Sequence, residues 1–72
     1  MEEKYMIKIN RLAEVLEIKK ITNRELAEKI KKTEETVSRW ANNHRQPPLT
    51  ELHKIAKLLD TDIRELLYPT KP

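Results

Sequence analysis

Few side chains in this 72-residue chain are equipped for covalent or acid-base chemistry. Ser38 is the only serine, and there is no cysteine. His44 and His53 stand nine positions apart, with no neighbouring pattern such as HExxH that would aim two ligands at one ion. Glu34 and Glu35 are adjacent, so they do not face each other across one helix face as a catalytic dyad would. Phosphate-cradling loops use glycine to let the backbone approach the phosphate, and the chain has none. The sequence therefore predicts no enzyme, no metal site and no cofactor. What remains is recognition chemistry. Arg39 follows Glu35 by four residues, a spacing that lets guanidinium and carboxylate meet on one helix face.

Composition sets the frame for these residues. Fifteen Lys and Arg against 12 Asp and Glu leave a formal charge of +3, compatible with a polyanionic partner without demanding one. The length suits one small domain over residues 1–72, whose thin core argues against a deep pocket or a small-molecule ligand. Absence of cysteine fits a reducing compartment, and a cytoplasmic location is expected. Met1-Glu2-Glu3-Lys4 is not the basic start of a secretion signal, and no apolar run approaches the roughly 20 residues that span a bilayer.

The elements that must position Arg39 are helices. Ile9, Leu12, Ala13 and Leu16 recur at helical spacing and predict a first helix, buried on that face and ending near Lys19. Thr22 and Glu25 form a capping-box pattern, so a second helix starts near Asn23 with Leu26, Ala27 and Ile30 inward. Lys31 and Lys32 suit its C-terminal end, and Thr33 is the expected N-cap of a third helix burying Val37, Trp40 and Ala41. Asn42 to Pro48 forms the one obvious loop. A fourth helix from about Leu49 to Leu59 follows, with Leu49, Leu52, Ile55, Ala56 and Leu59 as its inner face. Asp62 and Glu65 repeat the capping pattern for a fifth, short helix carrying Ile63, Leu66 and Leu67. An N-terminal arm (residues 1–8) and a C-terminal tail (residues 69–72) flank this all-α arrangement.

Two short helices joined tightly, the second opened by a threonine cap and closed by a polar basic loop, make a helix-turn-helix pattern over about residues 23–42. From Thr22 to Leu67, about two thirds of the chain, the sequence resembles the compact five-helix DNA-binding domain of the lambda-repressor and Cro-like regulators, the XRE family. The strings that carry the resemblance are Glu25-Leu26-Ala27-Glu28, Thr36-Val37-Ser38-Arg39-Trp40 and Gln46-Pro47-Pro48-Leu49. It implies that the helix after Thr33 enters the major groove, that Glu34, Glu35 and Arg39 look toward base edges, and that Asn23 and Asn42 touch phosphates. Glu34 and Glu35 depart from the Gln, Ser or small polar residues usual in the family.

Physical chemistry adds detail to that assignment. With Val37 and Trp40 inward, Arg39 points outward and can offer its fork to guanine O6 and N7. Glu34 and Glu35 can accept from cytosine amino groups or simply stabilise the helix N-terminus. Thr33 and Thr36 complete the base-facing set, although Thr33 has sufficient reason to be there as a cap. Ser38, Asn43, His44 and Arg45 join Asn23 and Asn42 as candidate phosphate contacts, with Asn43 also suited to the helix C-cap. Trp40 reads as core and His53 as structural or surface.

One recognition helix reads too few base pairs to find a single address in a genome, so a homodimer on a pseudopalindromic operator is expected. Leu58, Leu67 and Tyr68, with Tyr5, Met6 and Ile7 as a second patch, are the apolar candidates for its surface. The expected function is a DNA-binding transcriptional regulator, a repressor or autoregulator. The resemblance is compatible with a phage-type repressor, a restriction-modification controller or an antitoxin with a protein partner. The competing reading is a helical protein-interaction module whose acidic third helix meets a basic protein.

Overall fold

Threonine caps set the starts of the second and third helices in the computed structural model, which describes residues 7–71. The elements are α1 (Leu12–Lys19), α2 (Asn23–Ile30), α3 (Glu34–Ala41), α4 (Leu49–Leu58) and a four-residue 3-10 helix, Ile63–Leu66. Among the described residues there is no strand, only an isolated antiparallel bridge between Asn10 and Leu67. Thr22 opens α2 with the expected reciprocal box: its Oγ1 accepts from the Glu25 amide at 3.0 Å, and the Thr22 amide donates to Glu25 Oε1 at 2.8 Å. Thr33 opens α3 by accepting from the Thr36 amide at 3.1 Å. Three residues, Lys31 to Thr33, join the two helices.

All four α-helices end the same way. Lys20, Lys31, Asn43 and Asp60, each just past a helix end, have φ between 54° and 60°. The amide after each one donates back to a carbonyl five residues earlier, as in Ile21 to Leu16 and His44 to Arg39. Glycine is the usual occupant of such positions, and a side chain there costs roughly 1 kcal/mol. This chain accepts that cost four times.

The core is built from one face of every helix: Leu12, Val15 and Leu16; Leu26, Ala27 and Ile30; Val37, Trp40 and Ala41; Leu52, Ile55, Ala56 and Leu59; and Leu66 of the 3-10 helix. Leu12, Leu26, Val37, Ile55 and Leu66 are fully shielded. The most extensive packing joins α2 to α3, which fixes α3 on its inner side and leaves the opposite side to solvent.

Three expectations are corrected. The fifth α-helix is instead the 3-10 turn. Asp62 accepts from the Arg64 amide two residues on, and Leu67 swings to an extended conformation to pair with Asn10, so no further helical turn forms. The first helix starts later than the periodicity suggested. Ile9 lies in the extended segment before it and Val15 takes the inward position, leaving Ile9 and Ala13 exposed. Leu49, at the first turn of α4, is also exposed. Tyr5, Met6 and most of the N-terminal arm lie outside the described residues.

The segment before α1 is stitched to the end of the domain. The Arg11 amide donates to Leu66 O at 2.7 Å and the Tyr68 amide to Ile9 O at 2.9 Å. The Tyr68 hydroxyl donates to Glu14, whose other oxygen accepts from Arg11 Nε at 3.1 Å. The Tyr68 and Arg11 hydrogen bonds, in that order, hold the Glu14 carboxyl below its ordinary range, and the same carboxylate raises the Tyr68 hydroxyl.

Candidate nucleic-acid interface

The outward side of α3 begins at its cap. Thr33 Oγ1 accepts from the Thr36 amide and donates to Thr36 Oγ1 at 2.9 Å, so the Thr33 hydroxyl is committed to ordering the first turn. Glu34 and Glu35 follow in that turn, both exposed, where the helix dipole favours negative charge by roughly 0.3–1 kcal/mol each. Arg39, one turn on, is also exposed, and its Nη2 donates to Glu35 Oε2 at 2.7 Å. The pairing expected from their spacing is present. In water such an exposed pair contributes only about 0.3–0.5 kcal/mol, so its effect is on geometry more than on stability.

The loop after α3 is tied to the same residue. The amides of His44 and Arg45 both donate to the Arg39 carbonyl, at 2.9 and 3.3 Å. This fixes where the exposed His44 and Arg45 side chains leave the backbone. Thr36, Arg39 and Arg45 converge with Trp40, Gln46 and Pro48 on an open cleft of about 370 Å³. Two guanidinium groups and a hydroxyl at one rim suit a polyanion. Asn42 is exposed and its Nδ2 approaches Ser38 Oγ at 3.4 Å. Asn23, half-buried at the first position of α2, does not line this cleft.

Asn43 behaves differently from its neighbours. Its side chain is turned inward: Oδ1 accepts from the amides of Ile9 and Asn10 at 2.9 and 3.0 Å and from Gln46 Nε2 at 3.0 Å, while Nδ2 donates to Asn10 O at 3.0 Å. With that amide engaged inside the protein, Asn43 is the left-handed residue just past the Asn42 C-cap and a tether to the segment before α1, and we remove its side chain from the phosphate contacts. Asn10 is its partner. Buried to 2% exposure, Asn10 donates to Trp40 O at 2.9 Å and Gln46 Oε1 at 2.7 Å, and accepts from the Leu12 amide at 2.9 Å. Sequence reasoning gave Asn10 no role and met Gln46 only within the string Gln46-Pro47-Pro48-Leu49. Asn10 lies in a mixed polar and apolar segment, Ile7-Lys8-Ile9-Asn10-Arg11, that does not mark it out. Among the described residues no group of His, Asp or Glu could hold a metal ion, and no helix is long and apolar enough to cross a membrane.

A short helix held on its inner side, capped by threonine, linked by three residues to the helix before it and exposing charged side chains is the arrangement that comparison with known proteins also finds. A family model described as helix-turn-helix matches residues 12–66, from the start of α1 to the end of the 3-10 helix. The chain belongs to the XRE-type helix-turn-helix family. This is a DNA-binding family and not an enzyme family. A crystal structure of a Bacteroides fragilis protein designated as DNA-binding is similar to this helix-turn-helix chain, with a TM-score of 0.83 and 47% sequence identity. The match covers 86% of this chain and all of the other. No curated protein matches the sequence. The matched span contains α2 and α3, the two short helices joined by three residues.

Proposed function

We propose that this chain is a sequence-specific regulator that reads double-stranded DNA through the major groove and acts as a homodimer, repressing by occupying a promoter. The observation that carries the reading is the outward face of α3. Arg39, Glu35 and Glu34 are exposed on a helix whose other side is locked by Val37, Trp40 and Ala41. Arg39 reads a base edge, Thr36 and Glu34 flank it, and Thr33 orders the helix start. Ser38 in the second half of α3 and Asn42, His44 and Arg45 beyond its C-terminal end take phosphates, and Asn23 takes one at the start of α2. Similarity to a protein designated as DNA-binding supports the same reading.

The homodimer follows from arithmetic. One helix contacts about three or four base pairs, each contributing about 1–3 kcal/mol of discrimination, too little for a unique chromosomal site. Two copies with recognition helices about 34 Å apart double the address. Leu58 is exposed, and Leu67 and Tyr68 are half-buried near it in sequence, giving the second copy an apolar place to rest. Ile9 and Leu49, outward against expectation, line a further apolar groove with Leu67.

Selection from a random duplex library at low and physiological salt, repeated with Arg39→Ala, tests the reading. An enriched inverted repeat whose base preference relaxes in the variant is the expected result, together with a two-to-one complex in analytical ultracentrifugation. Binding that enriches no sequence and disappears as salt rises would overturn it and favour a protein adaptor with an acidic helix end.

A further inference from the structure

The Glu35–Arg39 pair carries more information than either residue alone. We propose that the two side chains act as one unit that reads a single G·C base pair in one orientation, with Arg39 on guanine and Glu35 on the cytosine of the same pair. This inference rests on α3 being the helix that enters the major groove. Three observations carry it: the two residues are one turn apart on the outward face, both are exposed, and Arg39 Nη2 already donates to Glu35 Oε2 at 2.7 Å.

A guanidinium has five N–H donors, so one bond to Glu35 leaves four, enough for the two-donor fork that guanine requires. The carboxylate in turn keeps Oε1 as an acceptor beside that fork. The unit thus presents donor, donor, acceptor in a row. The major-groove edge of a G·C pair presents the complement: acceptor at N7, acceptor at O6, donor at the cytosine amino group. An A·T pair places the adenine amino donor where the fork needs an acceptor, and thymine O4 against the carboxylate. A reversed pair puts its donor first. Each wrong pair therefore sets like against like.

Glu35 has a second effect. Its charge repels phosphates and its bond to Arg39 restrains the guanidinium from swinging to the nearest phosphate, which lowers affinity for sequences that do not match. Glu35 is thus a specificity residue that weakens binding in general and sharpens it at one position. The acidic residues at the start of a recognition helix, which look unsuited to a polyanion, become part of the discrimination.

The test is fluorescence anisotropy on labelled duplexes taken from the selection experiment, with the Arg39-sensitive base pair set to each of its four possibilities. Wild type, Glu35→Ala, Arg39→Ala and the double variant are compared, with circular dichroism verifying that each is folded. The wild type is expected to prefer one orientation of G·C. Glu35→Ala is expected to narrow that preference about tenfold, mainly by tightening the three wrong duplexes. In the Arg39→Ala background, removing Glu35 is expected to leave the preference unchanged. A Glu35→Ala protein that binds all four duplexes more tightly by the same factor would reduce Glu35 to a charge and overturn the proposal. A wild type that selects a motif in which the Arg39-sensitive position is not G·C would overturn it while leaving the regulator reading intact. A wild type that selects no motif would overturn both.

Discussion

The two ends of α3 are built from the same kinds of residue and use them in opposite ways. At the N-terminal end, the Thr33 cap closes on its own first turn and Glu34 and Glu35 face solvent. At the C-terminal end, Asn42, His44 and Arg45 stay exposed while Asn43 is consumed internally: with Asn10 and Gln46 it forms a network that also takes in the backbone of α3 and of the segment before α1. Asn42 and Asn43 show the contrast within a single step of sequence, one exposed beside Ser38 and the other buried. Side-chain chemistry available to a ligand is therefore decided by what the backbone does around a residue. Asn43 anchors the C-terminal end of the helix, and the N-terminal half and the outward face remain exposed.

Breaking the anchored end should have the largest effect. Asn43→Ala strips the acceptor from two amides and Gln46 and places a Cβ without hydrogen-bonding compensation at φ 59°. A loss of about 3 kcal/mol is expected in urea denaturation. Asn43→Gly relieves the backbone and should recover about 1 kcal/mol of that loss, the remainder measuring the side-chain network. Equal stability of Asn43→Ala and wild type would refute the anchoring role.

At the opposite end, Thr33→Ala removes only a cap, and about 1 kcal/mol is expected, read as a lower urea midpoint with unchanged slope. The left-handed residue on that side, Lys31, is exposed. Lys31→Gly should therefore stabilise by about 0.5 kcal/mol in the same assay, opposite in sign to glycine at position 43. A destabilising Lys31→Gly would show that the two ends are not as different as their hydrogen bonds imply.

The smallest effect concerns the Tyr68–Glu14 contact. Because the Tyr68 hydroxyl is raised above its ordinary 10.0, its contribution is complete below that pH and is lost as pH climbs through the raised value. Glu14 is lowered from 4.5, so its contribution is present above that pH and is lost as pH falls through the lowered value. Tyr68→Phe should flatten the thermal stability profile slightly at the alkaline edge, and at the acid edge in so far as Tyr68 sets the Glu14 shift.

Much of α2 and α3 was legible because their signals are local. Thr22 with Glu25, and Thr33 before a stripe of Val37, Trp40 and Ala41, act within four or five residues of one another. The inward position of Trp40, 5% exposed, follows from the same spacing. Periodicity misled where it ran past a helix end: Ile9 matches the spacing of Leu12 and Leu16 yet lies in extended chain, because its carbonyl is taken by the Tyr68 amide. Leu49 fits the α4 stripe but sits at the open first turn. The 3-10 helix departs from expectation for a similar reason: Asp62 accepts from the Arg64 amide rather than from that of Glu65, and the bridge between Asn10 and Leu67 ends the element. Asn10 could not be assigned from its neighbours at all. Apart from the Leu12 amide two residues on, its side-chain partners Trp40 and Gln46 lie 30 and 36 residues away, and no short-range rule marks them. The exposure of Arg39 follows from the inward spacing of Val37 and Trp40, whereas the burial of Asn43 needed the three-dimensional neighbourhood.

The bridge between Asn10 and Leu67 is antiparallel, so the chain arrives at Ile9 and departs at Tyr68 along neighbouring paths in opposite directions. That makes the domain a graft-ready unit. The span from Ile9 to Tyr68 is expected to accept splicing into a surface loop of a host protein without pulling those two points apart, and to accept circular permutation through a joint between them. New ends are then best cut at Asp60 and Thr61, well past α3 in sequence, so that the exposed face of α3 and placement within a larger polypeptide become separate choices.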